Sequence, residues 1–124
     1  MADTKKILLV EDDPFLLDMY SVKFKDVGYE VDIAQDGETS LNKIKENPPD
    51  LILLDIVLPK MDGFEVLRLL KSDRETAGIP VVLLTNLGLD DDMKRGLELG
   101  AASYIVKAHF TPTEVVVKVK EILG

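Results

Sequence analysis

The chain has 124 residues, 46% hydrophobic and 31% charged, which suits one soluble globular domain with one core and leaves no room for a second. Its formal net charge of −8 argues against a nucleic-acid-binding face, and the lack of cysteine excludes disulfides and thiolate metal sites. The N-terminal stretch MADTKKILLVEDD holds only four consecutive aliphatic residues, Ile7 to Val10, too few for a leader core or a membrane span, so a cytoplasmic location is expected.

KILLV, from Lys6 to Val10, reads as a first strand. Asp13-Pro14 is a helix-start signal, because Asp can cap free amides and Pro suits the first turn. Leu16, Tyr20, Phe24 and Val27 then recur at helical spacing until Gly28. YEVDIA gives a second, alternating strand, and Gly37 to Glu46 a second helix with Leu41 and Ile44 on one side, stopped by Pro48-Pro49. LILLD is a third strand, and its aliphatic run is the pattern of a strand buried on both faces. GFEVLRLLK follows as a third helix, with Asp62 as its cap and Phe64, Leu67 and Leu70 or Leu69 inward.

IPVVLLT, Ile79 to Thr85, is the fourth strand, and Asp90 to Leu99 the fourth helix. The acids Asp90 to Asp92 match the positive end of its dipole, and Gly96 is expected to make its middle pliable. SYIV, Ser103 to Val106, is the fifth strand. In TPTEVVVKVKEIL, Val115, Val117 and Val119 alternate like a strand, whereas Val115, Val119, Ile122 and Leu123 fit one helical face. The capping box from Thr111 to Glu114 and the length of the segment favour a helix.

Five alternating β-α units imply a parallel sheet covered on both faces by right-handed crossovers. Ligands in such sheets bind beyond the carboxyl ends of the strands. Those ends carry Glu11, Asp12 and Asp13, then Asp55, Thr85 and Lys107. Clustered carboxylates repel one another, and Mg2+, which prefers oxygen ligands, resolves the conflict. With it, Asp55 can stay ionised and act as a nucleophile toward phosphorus, with Lys107 and Thr85 serving the oxygens that gather charge. Asp13 reads as a helix cap rather than a ligand, and His109, the only histidine, as exposed and inert.

At this point a family resemblance covers essentially the whole chain. LLVEDD, LLLDIVLPKMDG, VVLLT and GAASYIVK, with Thr85 thirty and Lys107 fifty-two residues after Asp55, resemble the response-regulator receiver domain of two-component signalling, the CheY type. The resemblance implies a doubly wound α/β fold, a five-stranded parallel sheet in flavodoxin-like order 2-1-3-4-5 with five helices. It implies Asp55 as phosphoacceptor, taking its phosphoryl group from a sensor histidine kinase or histidine phosphotransfer protein. Glu11, Asp12, Asp55 and the Val57 carbonyl would form the metal shell, and Thr85 and Tyr104 the switch pair.

The expected protein is thus a stand-alone single domain, not an enzyme in the ordinary sense, whose output is binding to a downstream protein. No direct contact with nucleic acid or membrane is expected, and the assembly is a monomer or a weak phosphorylation-dependent dimer. Three positions depart from the family pattern. Ala108 stands where a proline usually follows the lysine through a cis bond, so Lys107-Ala108 is expected either trans with Lys107 re-aimed, or cis under strain. Asn86 stands where a small residue is usual. Val57 and Leu87 put hydrocarbon where an attacking water would be positioned, which predicts slow loss of phosphate. An Asp-nucleophile, Mg2+-dependent phosphohydrolase is the alternative, but such enzymes carry a second acid at the position held here by Val57.

Overall fold

Hydrophobic runs a few residues long, separated by helix-forming stretches, can bury both faces only by lying side by side under helices. The computed structural model describes residues 4–124; Met1 to Asp3, part of the stretch weighed above as a leader, lie outside them. The elements are β1 (Lys6–Val10), α1 (Pro14–Asp26), β2 (Glu30–Ala34), α2 (Gly37–Glu46), β3 (Leu51–Leu54), α3 (Gly63–Ser72), β4 (Val81–Thr85), α4 (Asp90–Glu98), β5 (Ser103–Val106) and α5 (Pro112–Leu123), with a 3-10 turn at Lys107–His109. All pairings are parallel, and the strand order is β2-β1-β3-β4-β5, as expected.

Side chains alternate across each strand, so the sheet builds two cores. Leu8, Val10, Ile52, Leu54, Val81, Leu83 and Tyr104 face the layer that includes Ile44 of α2 and Phe64, Val66, Leu67 and Leu70 of α3. Ile7, Leu9, Leu51, Leu53, Val82, Leu84 and Ile105 face Leu17, Tyr20 and Phe24 of α1 and Val115, Val116 and Val119 of α5. All four residues of β3 are fully buried. Each leucine or isoleucine in such a place contributes about 1.5–3 kcal/mol of burial free energy.

The caps follow the side chains that can reach a free amide. Asp13 accepts from the Phe15 and Leu16 amides, Asp62 from Glu65, and Thr111 from Glu114 in a complete capping box. That box, with apolar burial on one face only, makes the last segment a helix; Val117, which a strand would have paired with Val115 and Val119, is exposed. Gly28 takes a left-handed φ of 97° and turns the chain out of α1.

Some boundaries and inward positions differ from the expectations. The second strand begins at Glu30 rather than Tyr29, the fourth at Val81 rather than Ile79, and the third ends at Leu54, so Asp55 stands just past the ladder. The fourth helix ends at Glu98, with Leu99 as its cap, and the third runs on to Ser72. Val27 caps α1 and is 40% exposed, while Leu17 is buried in its place, because a 3.6-residue turn carries the stripe past Val27. On α3 it is Leu70 that is buried, and Leu69 is only half-buried. Among the described residues, no helix is long and apolar enough to cross a membrane.

Candidate functional site

Register decides which side chains meet. Val10 of β1 lies opposite both Ala34 and Leu54, and the ladder continues past them, with the Glu11 amide donating to Ala34 O at 3.0 Å and the Asp55 amide to Val10 O at 3.0 Å. Glu11 and Asp55 therefore leave adjacent strands at the same height. Thr85 and Val106 are partners at the ends of β4 and β5, which brings Lys107 to the same edge.

Glu11, Asp12 and Asp55 place a carboxylate oxygen each within 4.8 Å of one another. Asp55 Oδ1 accepts from the Ile56 amide at 2.7 Å and the Val57 amide at 3.3 Å, and Oδ2 accepts from Lys107 Nζ at 2.8 Å. Lys107 Nζ also donates to Glu11 Oε1, while Glu11 Oε2 accepts from the Asp13 amide at 3.0 Å. Glu11 and Asp55 are buried and Asp12 is exposed. The result is one open crevice with two inner acids, one outer acid and a single ammonium.

Burial pushes the Glu11 carboxyl above its usual range, against the pull of Lys107 and the Asp13 amide. Burial also works against the Lys107 charge, but hydrogen bonds to Asp55 and Glu11 outweigh it and hold that amine above the ordinary lysine value. Lys107 thus stays cationic beside the two acids.

The peptide bonds of the described residues are all trans, Lys107-Ala108 included, and Lys107 still reaches both acids. Thr85 is fully buried, its hydroxyl accepting from the Leu87 amide at 3.4 Å. Tyr104 lies inward on the other side of the same residue and donates its hydroxyl to Leu87 O. Asn86 is exposed at the lip of the crevice, beside Leu87, and Val57 projects outward with 60% of its surface exposed. His109 is exposed, as expected.

A family model described as the response regulator receiver domain matches residues 7–120. The chain belongs to that family. Receiver sequences similar to it include the gliding motility regulatory protein of Myxococcus xanthus, 43% identical over 106 residues, with 86% of this chain and 14% of that protein covered. The phosphate regulon transcriptional regulatory protein PhoB of Klebsiella pneumoniae is 40% identical over 119 residues, covering 96% of this chain and 52% of PhoB. The chain spans about half or less of the length of these relatives. Among solved structures, the CheY-like receiver domain protein of Methanospirillum hungatei JF-1 superposes with a TM-score of 0.90 at 34% identity, covering 98% of this chain and 94% of that one.

The receiver's strand-end residues all appear in the sequence reading, but the supporting roles of three residues do not. Leu87 enters that reading only as a hydrocarbon side chain, whereas its main chain is what Thr85 and Tyr104 share. Gly63 packs so closely that a Cβ would stand 2.7 Å from Ile56 Cα and overlap the Asp55 carbonyl oxygen. Gly96 is read above as a weak point in its helix, yet it is buried. A Cβ there would meet Leu83 Cδ1 at 2.5 Å and the Tyr104 ring at 3.1 Å. A glycine inside a helix pattern was the available signal, since its cost in helix stability can be offset by a close approach that no larger residue allows.

Proposed function

We propose that this receiver domain is a cytoplasmic phosphoacceptor switch in which Asp55 takes a phosphoryl group from a phosphohistidine on a sensor histidine kinase or histidine phosphotransfer protein. The observation that carries this reading is the meeting of Glu11, Asp12 and Asp55 within 4.8 Å, with Lys107 bonded to two of the three. The donor set is oxygen alone and suits a hard divalent cation such as Mg2+. Asp12, Asp55 and the Val57 carbonyl would hold it, with Glu11 acting largely through water. When bound, Mg2+ neutralises the acids and draws charge from the phosphoryl oxygens.

The chain's own residues do the rest. A carboxylate oxygen of Asp55 bonds to phosphorus as the bond to the donor nitrogen breaks, and that electron pair stays on the imidazole. Two main-chain amides, from Ile56 and Val57, and the end of a buried strand hold the carboxylate still for this attack. Lys107 exchanges part of its contact with Asp55 for the transferred oxygens. Thr85 turns its hydroxyl from the Leu87 amide onto the phosphoryl group, and Tyr104 keeps its ring packed behind.

The output is a changed surface on α4, β5 and α5, read by a separate protein or by further residues of a longer chain. Moving a two-state equilibrium from mostly off to mostly on takes about 5.5 kcal/mol. Two to three charge-assisted hydrogen bonds of about 1.5–3 kcal/mol each supply that order of energy. The hydrolase alternative lacks its second acid, since Val57 occupies that place.

The test is incubation with acetyl phosphate and Mg2+ followed by intact mass. One phosphoryl group should appear on the wild type, and none on Asp55→Asn or in excess EDTA. Equal modification of Asp55→Asn would overturn the assignment of Asp55.

A further inference from the structure

The fourth helix is held differently from the others. Of its nine residues only Gly96 is buried. Its first turn of three aspartates points no apolar group at the sheet, and Met93 is only half-buried. Besides Met93 and the cap Leu99, which pack at the edge of the core, two contacts of neighbouring residues hold it to the domain. Gly96 presses on Leu83 and on the ring of Tyr104. Arg95 lays its guanidinium over the ring of Phe64, 4.2 Å from the centroid.

The first contact leads to the crevice that Asp55 lines, and the second to the main chain of Asp55 itself. Tyr104 donates to Leu87 O, and the Leu87 amide donates to the hydroxyl of Thr85, which lines the crevice. Phe64 follows Gly63, whose amide donates to Ile56 O at 2.8 Å and whose α-carbon rests on the main chain of Asp55 and Ile56. The second path is short, built of backbone packing, and has no room to absorb a shift of the Asp55–Val57 segment.

We propose that the Arg95–Phe64 stack is a latch through which α4 follows the state of Asp55, in parallel with Thr85 and Tyr104; its regulatory sense rests on the phosphoacceptor reading above. A guanidinium over a buried aromatic face is attracted by the ring quadrupole, and at an exposed site this amounts to about 0.5–1 kcal/mol. The ring here is 5% exposed while Arg95 is open to water, so the contact is strong enough to hold a loosely packed helix and weak enough to be released. Because such coupling is reciprocal, a change that frees α4 also changes how readily the Asp55 loop rearranges.

Amide hydrogen exchange across Asp90–Glu98 tests this on the intact chain, with and without acetyl phosphate and Mg2+. In the unmodified protein, Arg95→Gln and Phe64→Leu should each speed exchange in α4 about two- to fivefold, the stack energy converted at about 1.4 kcal/mol per tenfold. The double variant should go no further than the faster single one, because one interaction is removed only once. After modification, the change in α4 exchange seen in the wild type should shrink in Arg95→Gln. Arg95 is exposed, so that variant folds even where Phe64→Leu does not. Wild-type exchange in Arg95→Gln, additive effects in the double variant, or an undiminished response to modification would each overturn the latch. Failure of Asp55 to take up phosphate would sink the phosphoacceptor reading instead, and the comparison in the unmodified protein would still decide the latch.

Discussion

Gly63 lies against the main-chain carbonyl of Asp55, with no room for a Cβ between them. The first residue of α3 thereby fixes the height of the loop that carries the acid. Gly63→Ala forces backbone against backbone, which no rotamer change relieves, and should destabilise the fold by about 3 kcal/mol, the upper end for overpacking. Gly78→Ala, with nothing within 4 Å of the new methyl, should be neutral or stabilising by up to about 1 kcal/mol. Urea denaturation of the two variants measures the difference directly.

Lys107 is the sole cation bonded to Glu11 and Asp55 among the described residues. Removing its charge leaves two buried acids facing each other, so Lys107→Met should lose about 3 kcal/mol in EDTA. Mg2+ held by the acids, as proposed above, would supply a replacement charge. The melting temperature should therefore rise more on adding Mg2+ to the variant than to the wild type.

Tyr104 gives an alkaline signature. Burial, with the nearby charges of Asp92 and Asp55, pushes its phenol from 10.0 up to about 12. The folded state holds this proton more tightly than the unfolded chain does. Its contribution is complete below about 10 and is lost as pH rises toward about 12. Tyr104→Phe should show a shallower fall in stability across that window, measured by denaturant midpoints at each pH.

Val57 and Leu87 border the crevice with hydrocarbon and offer no hydrogen bond to an attacking water. Loss of the acyl phosphate should be slow in the wild type and faster with Val57→Asn and Leu87→Asn together. The lifetime is read by intact mass after acetyl phosphate is removed, and an unchanged lifetime counts against this role for the two side chains.

Local patterns carried a large part of this protein. Four aliphatic residues at Leu51–Leu54, bounded by turn residues, carry the pattern of a strand buried on both faces, and Asp13, Asp62 and Thr111 cap the helices their positions announce, because strand burial and helix capping act within a few residues. The alternation of strands and helices then puts Glu11, Asp12, Asp55, Thr85 and Lys107 at one edge by chain direction alone. Val117 shows the limit of such patterns, since its alternation with Val115 and Val119 was as good a strand signal as a helical one until a cap settled it.

Tertiary structure alone decided what touches what. Residues 96 apart in sequence, Glu11 and Lys107, meet because β1 and β5 flank the central pair in a common register, which no local pattern encodes. The roles of Gly63, Gly96 and the Leu87 main chain were likewise hidden, because a close approach depends on the partner surface and a glycine carries no side chain to announce it. The stack of Arg95 on Phe64 belongs to the same class: two residues on separate helices, joined only by where the sheet places them.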